Sequence, residues 1–219
     1  MDRSITVISA GLSVPSSTRV LAELLGSAAE RAVTARGEEV EVEYVELRPL
    51  AHALADHLLT GFPSGDLADA IDKVTAADAL VVVTPVFSGS YSGLFKTFFD
   101  VLRVGALEGK PVLIAATAGT ARHSLVLDHA LRPLFSYLRA LVVPTGIFAA
   151  SEDFGGGAVD GGLRKRADRA ATELAALLGC SGQATVRQVA RRRSVDDEFA
   201  APTPFEQLLR EASDGDTVR

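Results

Sequence analysis

The chain alternates short apolar runs with longer segments whose apolar residues recur every three or four positions. The run at residues 79–83 is continuous and rich in β-branched side chains, without alternation. That pattern predicts a parallel strand covered on both faces. Proline at position 85 is expected to end it, because proline cannot donate to a ladder. From Tyr91 onward, Leu94, Phe95, Phe98, Phe99 and Leu102 recur at helical spacing, with Lys96 and Asp100 four apart on the exposed side. Residues 5–10 and 112–116 read as further buried strands, residues 41–47 alternate as a strand near a sheet edge, and residues 141–149 form a fifth strand interrupted by Pro144 and Gly146. Helical patterns occupy the segment up to Ala35 and residues 64–77, 123–139 and 163–179, with a helical or irregular connection at 48–61. The glycine-rich residues 155–162 read as a mobile loop. Five strands alternating with helices predict a doubly wound α/β sandwich with a parallel sheet in the order 2-1-3-4-5.

The strand ends carry the candidate chemistry. In such sheets ligands bind at the carboxyl edge. After the first strand comes Gly11-Leu12-Ser13-Val14-Pro15-Ser16-Ser17-Thr18-Arg19, a strand, turn and helix start that could cage an anion on backbone N–H groups, hydroxyls and Arg19. The same serines could equally serve only to cap the helix. The spacing is neither GxGxxG nor a Walker motif. After the third strand, Gly89 and Gly93 allow a flat ligand to approach the backbone, and Thr84, Ser88, Ser90 and Ser92 offer hydrogen bonds without bulk. After the fourth comes Thr117-Ala118-Gly119-Thr120. Three small-residue loops are thus expected to converge on one cleft.

Composition narrows the function further. A formal charge of −6 over 219 residues argues against a nucleic-acid role, and the mix of 47% hydrophobic and 23% charged residues is that of a globular protein. The single cysteine, Cys180, excludes an intramolecular disulfide and reads as structural. No segment has the pattern of a signal peptide or a membrane span, so a soluble, cytoplasmic protein is expected. His52 and His57 fall on different sides of a helix, so no metal site is expected. Residues 183–219 read as a charged tail following a domain of residues 1–182. In that tail Arg191 to Arg193 are expected to pair with Asp196 to Glu198, and Phe205, Leu208 and Leu209 form a short apolar triplet.

In order along the chain, GLSVPSSTR, TPVFSGSYSGLFKTFFD and TAGTARHSLVLDHALRPLFSYL resemble the NAD(P)H-dependent FMN reductases of the flavodoxin-like fold. The branch they resemble supplies reduced flavin to two-component, luciferase-like monooxygenases, alkanesulfonate-type reductases included. The likeness covers roughly residues 4–150, although the first loop is one residue shorter than in that branch and lacks its arginine. It implies that Ser13, Ser16, Ser17 and Thr18, with Arg19, hold the FMN phosphate. Pro85, Val86, Phe87 and Ser88 would border the flavin ring, and Thr117, Ala118 and Gly119 would close its other edge. It also implies FMN and NAD(P)H as cofactors, a flavin-dependent monooxygenase as partner, and a homodimer or homotetramer that could use the helix faces of residues 94–102 and 125–138.

The flavin is itself the electrophile, so no catalytic acid, base or nucleophile is expected. Backbone N–H groups near Phe87, Ser88 and Gly119 would stabilise charge on the reduced ring. His129 stands where that branch often has an aromatic residue at a helix irregularity in a subunit interface; a helix-face histidine bonded to a carbonyl is the alternative. Arg103, Arg122 and Arg132 are candidates for holding the nicotinamide nucleotide's ribose phosphate. Two other functions stay open: an FMN-retaining quinone or azo reductase, and a flavodoxin-type electron carrier without an NAD(P)H site.

Overall fold

The computed structural model describes residues 3–157 and 161–181. The expected tail, with its charge pairing and apolar triplet, lies outside the described residues. The side chain of Cys180 lies outside them too.

The sheet is built on β1 (Arg3–Ser9), β2 (Val40–Glu46), β3 (Ala79–Phe87) and β5 (Pro111–Ala118), all parallel, in the order β2-β1-β3-β5. The fifth position is shared by two short strands. β6 (Leu141–Val142) pairs with the start of β5 and β7 (Ile147–Ala150) with its end. Pro144 and Gly146 lie between them, as the interrupted pattern predicts. Gly146 is closely packed, since a Cβ would sit 3.2 Å from Leu127 Cδ1. The architecture is therefore the flavodoxin-like order 2-1-3-4-5, with one addition: β4 (Ser90–Tyr91) folds back antiparallel on the end of β3.

Alternation along the buried strands sends successive side chains to opposite layers. Val7, Val81, Val83, Leu113 and Ala115 face α1 (Ser17–Thr34) and α6 (Gly161–Ser181). Ile8, Leu80, Val82, Ile114 and Ala116 face α2 (Ala51–Thr60), α3 (Asp66–Ala76), α4 (Gly93–Asp100) and α5 (Arg132–Tyr137). Helix α1 lies close on the sheet because Gly26 leaves room for Tyr44, whose Oη would be 2.4 Å from a Cβ there. The second layer holds an aromatic cluster in which the Phe95 and Phe99 rings are 4.7 Å apart and Phe135 meets Phe99 edge-on at 5.0 Å. Lys96 and Asp100 pair on the outer side of α4. At the C-terminus of α3, the Lys110 ammonium donates to the carbonyls of Val74 (3.1 Å), Thr75 (2.8 Å) and Ala77, which satisfies acceptors the helix leaves open. Burial pushes the pKa of this lysine down, and Asp78 opposes the shift.

Three expectations are corrected. β3 does not stop at Pro85 but runs on to Phe87. β1 ends at Ser9, opposite Val83, and β4 joins only from Val86, so at Pro85 itself β3 pairs only with β5 and a residue without an N–H is tolerated. The helix expected over 123–139 is broken into a 3₁₀ turn (Ala121–His123), one turn of π-helix (Leu127–Leu131) and α5. Pro133 explains the widening: it cannot donate to the carbonyl four residues back, and the ladder shifts to an i→i−5 bond from Arg132 N–H to Leu127 O. Finally, Gly155 to Gly157 belong to a 3₁₀ turn over Ser151–Gly157 rather than a loose loop, and residues 158–160 lie outside the described residues. No helix among the described residues is long and apolar enough to cross a membrane.

The aromatic cluster fills the space that positions α4 and α5 on the sheet. Phe95→Ala should cost about 3–5 kcal/mol through the cavity it leaves. Urea unfolding checks this; a loss below about 1 kcal/mol would show that the layer collapses into the space.

Candidate functional site

Strand register brings three chain segments to one edge. Ser9 lies opposite Val83, Val83 opposite Ala115, and Pro85 opposite Thr117. The segments that follow therefore leave the sheet side by side. The first and third are tied together directly, because the hydroxyls of Thr18 and Thr117 meet at 2.9 Å and both residues are buried. The bond uses the proton of one hydroxyl and leaves that of the other free.

The second segment is a tight hairpin. Val86 pairs with Tyr91 and Phe87 with Ser90, which leaves Ser88 and Gly89 as a two-residue turn. Both have positive φ, 51° and 81°, as a type I′ turn requires. Glycine accepts this freely; Ser88 is held there by the strands. The base is pinned by Thr84, whose hydroxyl donates to Pro85 O and accepts from Ser92 N–H, both at 3.0 Å. Ser92 in turn caps α4 by accepting from Phe95 N–H. The Tyr91 ring stands 5.9 Å from Phe95, so the hairpin leans on the aromatic layer. Pro85 and Val86 are half-buried, whereas Phe87 and Ser88 are exposed. Beside them Ala118 is half-buried and Gly119 is exposed, with nothing within 4 Å of where its Cβ would be. Of the seven residues expected to border a flat ring, Pro85 and Thr117 lie opposite each other on β3 and β5, and the others follow them along the chain.

The first segment is a cradle with capping built in. Ser16 accepts from Arg19 N–H at 3.2 Å, so the capping role is real, while its hydroxyl proton stays available to a ligand. Gly11 packs so tightly on Ser16 that a Cβ would come within 2.2 Å of its Oγ. Ser13 and Ser17 are exposed. A cavity of about 230 Å³ opens beside this loop, lined among others by Gly11, Ser13, Ser16, Arg19, Glu46 and Arg48. A second, of about 330 Å³, continues between α1 and β2 past Glu23, Ser27 and Tyr44. Arg19 stands between the two, paired with Glu23 Oε1 at 2.8 Å and Glu46 Oε1 at 2.7 Å. The hydrogen bond to Glu23, then the charge of Glu46, raise its pKa.

Glu46 and Arg48 were not legible as site residues from their own segment. The available signal was positional: β2 ends at the same edge as β1, where Leu47 N–H bonds Ser9 O at 2.9 Å.

Other candidates are distributed as follows. Arg132 gives its guanidinium to the carbonyls of Val143 (3.2 Å) and Pro144 (3.0 Å) and to Asp128, so it is committed to holding the π-helix on the β6–β7 connection. Arg103 and Arg122 are exposed. His129 is exposed within the π-helix turn, which places a helix irregularity at its position. Among the described residues no three His, Cys, Asp or Glu side chains gather as a metal set.

Comparison with known proteins gives a consistent result. Residues 3–155 match the model of the family described as NADPH-dependent FMN reductase. The FMN reductase (NADPH) of Pseudomonas aeruginosa is 39% identical over 152 residues, which cover 68% of this chain and 78% of that protein. The NADH-dependent FMN reductase SfnF of Pseudomonas fluorescens is 37% identical over 180 residues, covering 81% of this chain and 94% of that one. Among solved structures, an oxidoreductase from Corynebacterium diphtheriae superposes with a TM-score of 0.77 at 54% identity, covering 81% of this chain and 97% of its own.

The threonine pair predicts non-additive energetics. Thr18→Val or Thr117→Val alone should cost about 1–3 kcal/mol by stranding a buried hydroxyl, and the double variant should cost less than the sum. A double-mutant cycle in urea measures this; strict additivity would show that the two hydroxyls are not coupled.

Proposed function

The chain belongs to the family of NADPH-dependent FMN reductases, and from that premise we propose that it supplies reduced FMN to a flavin-dependent monooxygenase, holding the flavin on the segments after β1, β3 and β5. It is an enzyme, an NAD(P)H:FMN oxidoreductase, with FMN and NAD(P)H as its cofactors.

The observation that carries the site assignment is the shelf beside Gly119. Pro85 and Val86 offer a half-buried apolar floor, Ser88 and Ala118 flank it, and the space over Gly119 is open for a planar ligand. The first loop suits the other end of FMN. Ser13, Ser16 and Ser17 present hydroxyls, and α1 begins there with unpaired N–H groups and its positive dipole end, which suits a phosphate. Thr18 and Thr117 contribute by fixing the spacing between phosphate end and ring end, since their mutual bond ties the two segments.

When bound, FMN would supply the acceptor for a hydride from the reduced nicotinamide. The protein's part is placement. Pro85 to Ser88 and Thr117 to Gly119 would hold the ring at the sheet edge, and backbone N–H groups near Phe87, Ser88 and Gly119 would offer fixed dipoles to the charge that develops on it. Proton transfer by a side chain is not needed. The ring shelf is exposed rather than enclosed, which suits a flavin that arrives, is reduced and departs. That favours exchange with a partner monooxygenase over permanent retention. We place this activity in a domain of residues 1–182 acting in the cytoplasm as a homodimer or homotetramer.

Colourless purified protein should oxidise NADH or NADPH under air only when FMN is added. A yellow protein needing quinone or dye for turnover would instead mark an FMN-retaining reductase, and no turnover with either nucleotide would mark an electron carrier. Addition of a purified flavin-dependent monooxygenase and its substrate should couple nucleotide oxidation to product. Gly119→Leu should leave the melting temperature unchanged, because its side chain enters open space, yet weaken FMN at least about tenfold, because that space is the ring's. Unchanged FMN affinity in this variant would remove the ring assignment.

A further inference from the structure

The cavity beside the first loop is built unlike a strong phosphate site. Arg19, in the first turn of α1, has its guanidinium engaged by Glu23, one turn further on, and by Glu46, at the end of β2. All three residues line both cavities, so the cluster stands where the two meet. One guanidinium and two carboxylates carry a formal charge of −1. Arg48 also lines the smaller cavity and makes no ion pair among the described residues, so it is the cation there that no carboxylate offsets. A phosphate dianion entering this cavity meets two carboxylates that already hold the nearer arginine. If Arg19 stays with them, the phosphate feels their surplus charge. If Arg19 turns to the phosphate, it leaves two glutamates unpaired beside each other. Both routes cost binding energy that a flavin without a phosphate does not pay.

We infer that Glu23 and Glu46 hold Arg19 back from the flavin phosphate and thereby set a deliberately modest affinity for FMN. The inference rests on the reading above that places the phosphate at the first loop. Its chemistry is specific to the phosphate end: the ring shelf on Pro85 to Ser88 lies on other segments. The side chains of Arg19, Glu23 and Glu46 are 59%, 53% and 44% exposed, so solvent and salt screen the effect and keep it moderate. A moderate penalty is what an exchanging flavin needs, because the reduced form must leave within a turnover.

The test compares FMN with riboflavin, which has the same ring and no phosphate. Affinities for both are measured by flavin fluorescence titration at low and high salt, for the natural protein and for Glu23→Gln, Glu46→Gln and Arg19→Gln. Each glutamine variant should bind FMN about three- to tenfold more tightly at low salt, the scale of one charge acting on a dianion through largely aqueous surroundings. Riboflavin affinity should not change, and the gain should fade at high salt. Arg19→Gln should weaken FMN alone. A merely structural role would move both flavins together and overturn the inference. So would an FMN-to-riboflavin affinity ratio that is the same in the glutamine variants as in the natural protein. If the natural protein prefers FMN and the variants leave that preference unmoved, the glutamate inference falls while the site reading stands. If the natural protein binds both flavins equally, the phosphate is not recognised at this loop and both fall.

Discussion

A parallel sheet must be covered on both faces, because its strands carry apolar side chains on each side and its crossover connections return over it. Here that requirement fixes nearly everything else. Odd-numbered residues of β3 press on α1 and α6, and even-numbered ones on the layer containing α3, α4 and α5. Every parallel strand therefore runs the same way and finishes at the same edge. The site is a by-product of that constraint. Three adjacent strands, β1, β3 and β5, release their chain together, and small residues at those ends leave a ledge instead of a packed surface.

The ledge is held by devices that add no reactive group. A hydroxyl pair joins Thr18 to Thr117, a second hydroxyl on Thr84 pins the hairpin base, and Ser92 joins that base to α4. Through Tyr91 the hairpin also rests on the phenylalanine cluster. Binding surface and core are thus one continuous packing arrangement. This is the economy expected where the cofactor carries the chemistry and the protein only has to place it. The first loop differs in kind, since charge is concentrated there and balanced by Arg19 against two glutamates. On the proposed assignment, the ring and phosphate ends of the flavin would therefore rest on different physics, packing at one and screened electrostatics at the other.

Several local features follow from one residue meeting one constraint. Pro85 inside a strand is acceptable only because β1 has already ended beside it. Pro133 cannot complete an ordinary helical ladder, so the chain widens into a π-helix turn and Arg132 secures it to two carbonyls of the β6–β7 connection. Ser88 adopts a left-handed conformation because a two-residue hairpin on a twisted strand pair demands it. In each case the residue's own constraint is met by what its neighbours leave open.

That division describes what the chain by itself determined. The fold class and strand order were legible, because burial on both faces leaves a continuous β-branched run at residues 79–83 and one-sided burial leaves alternation at 41–47. The three segments proposed as the site were picked out by glycine, serine and threonine at strand ends, which report where backbone stays accessible, and motif order led to the family. Tertiary structure alone decided which hydroxyls face inward and which charges meet. Thr18 and Thr117 are 99 positions apart. Arg19 reaches Glu46 only because β1 and β2 pair in a particular register. Such contacts depend on lateral strand neighbours, and a linear pattern records the period of a strand but not the side chain that stands beside it.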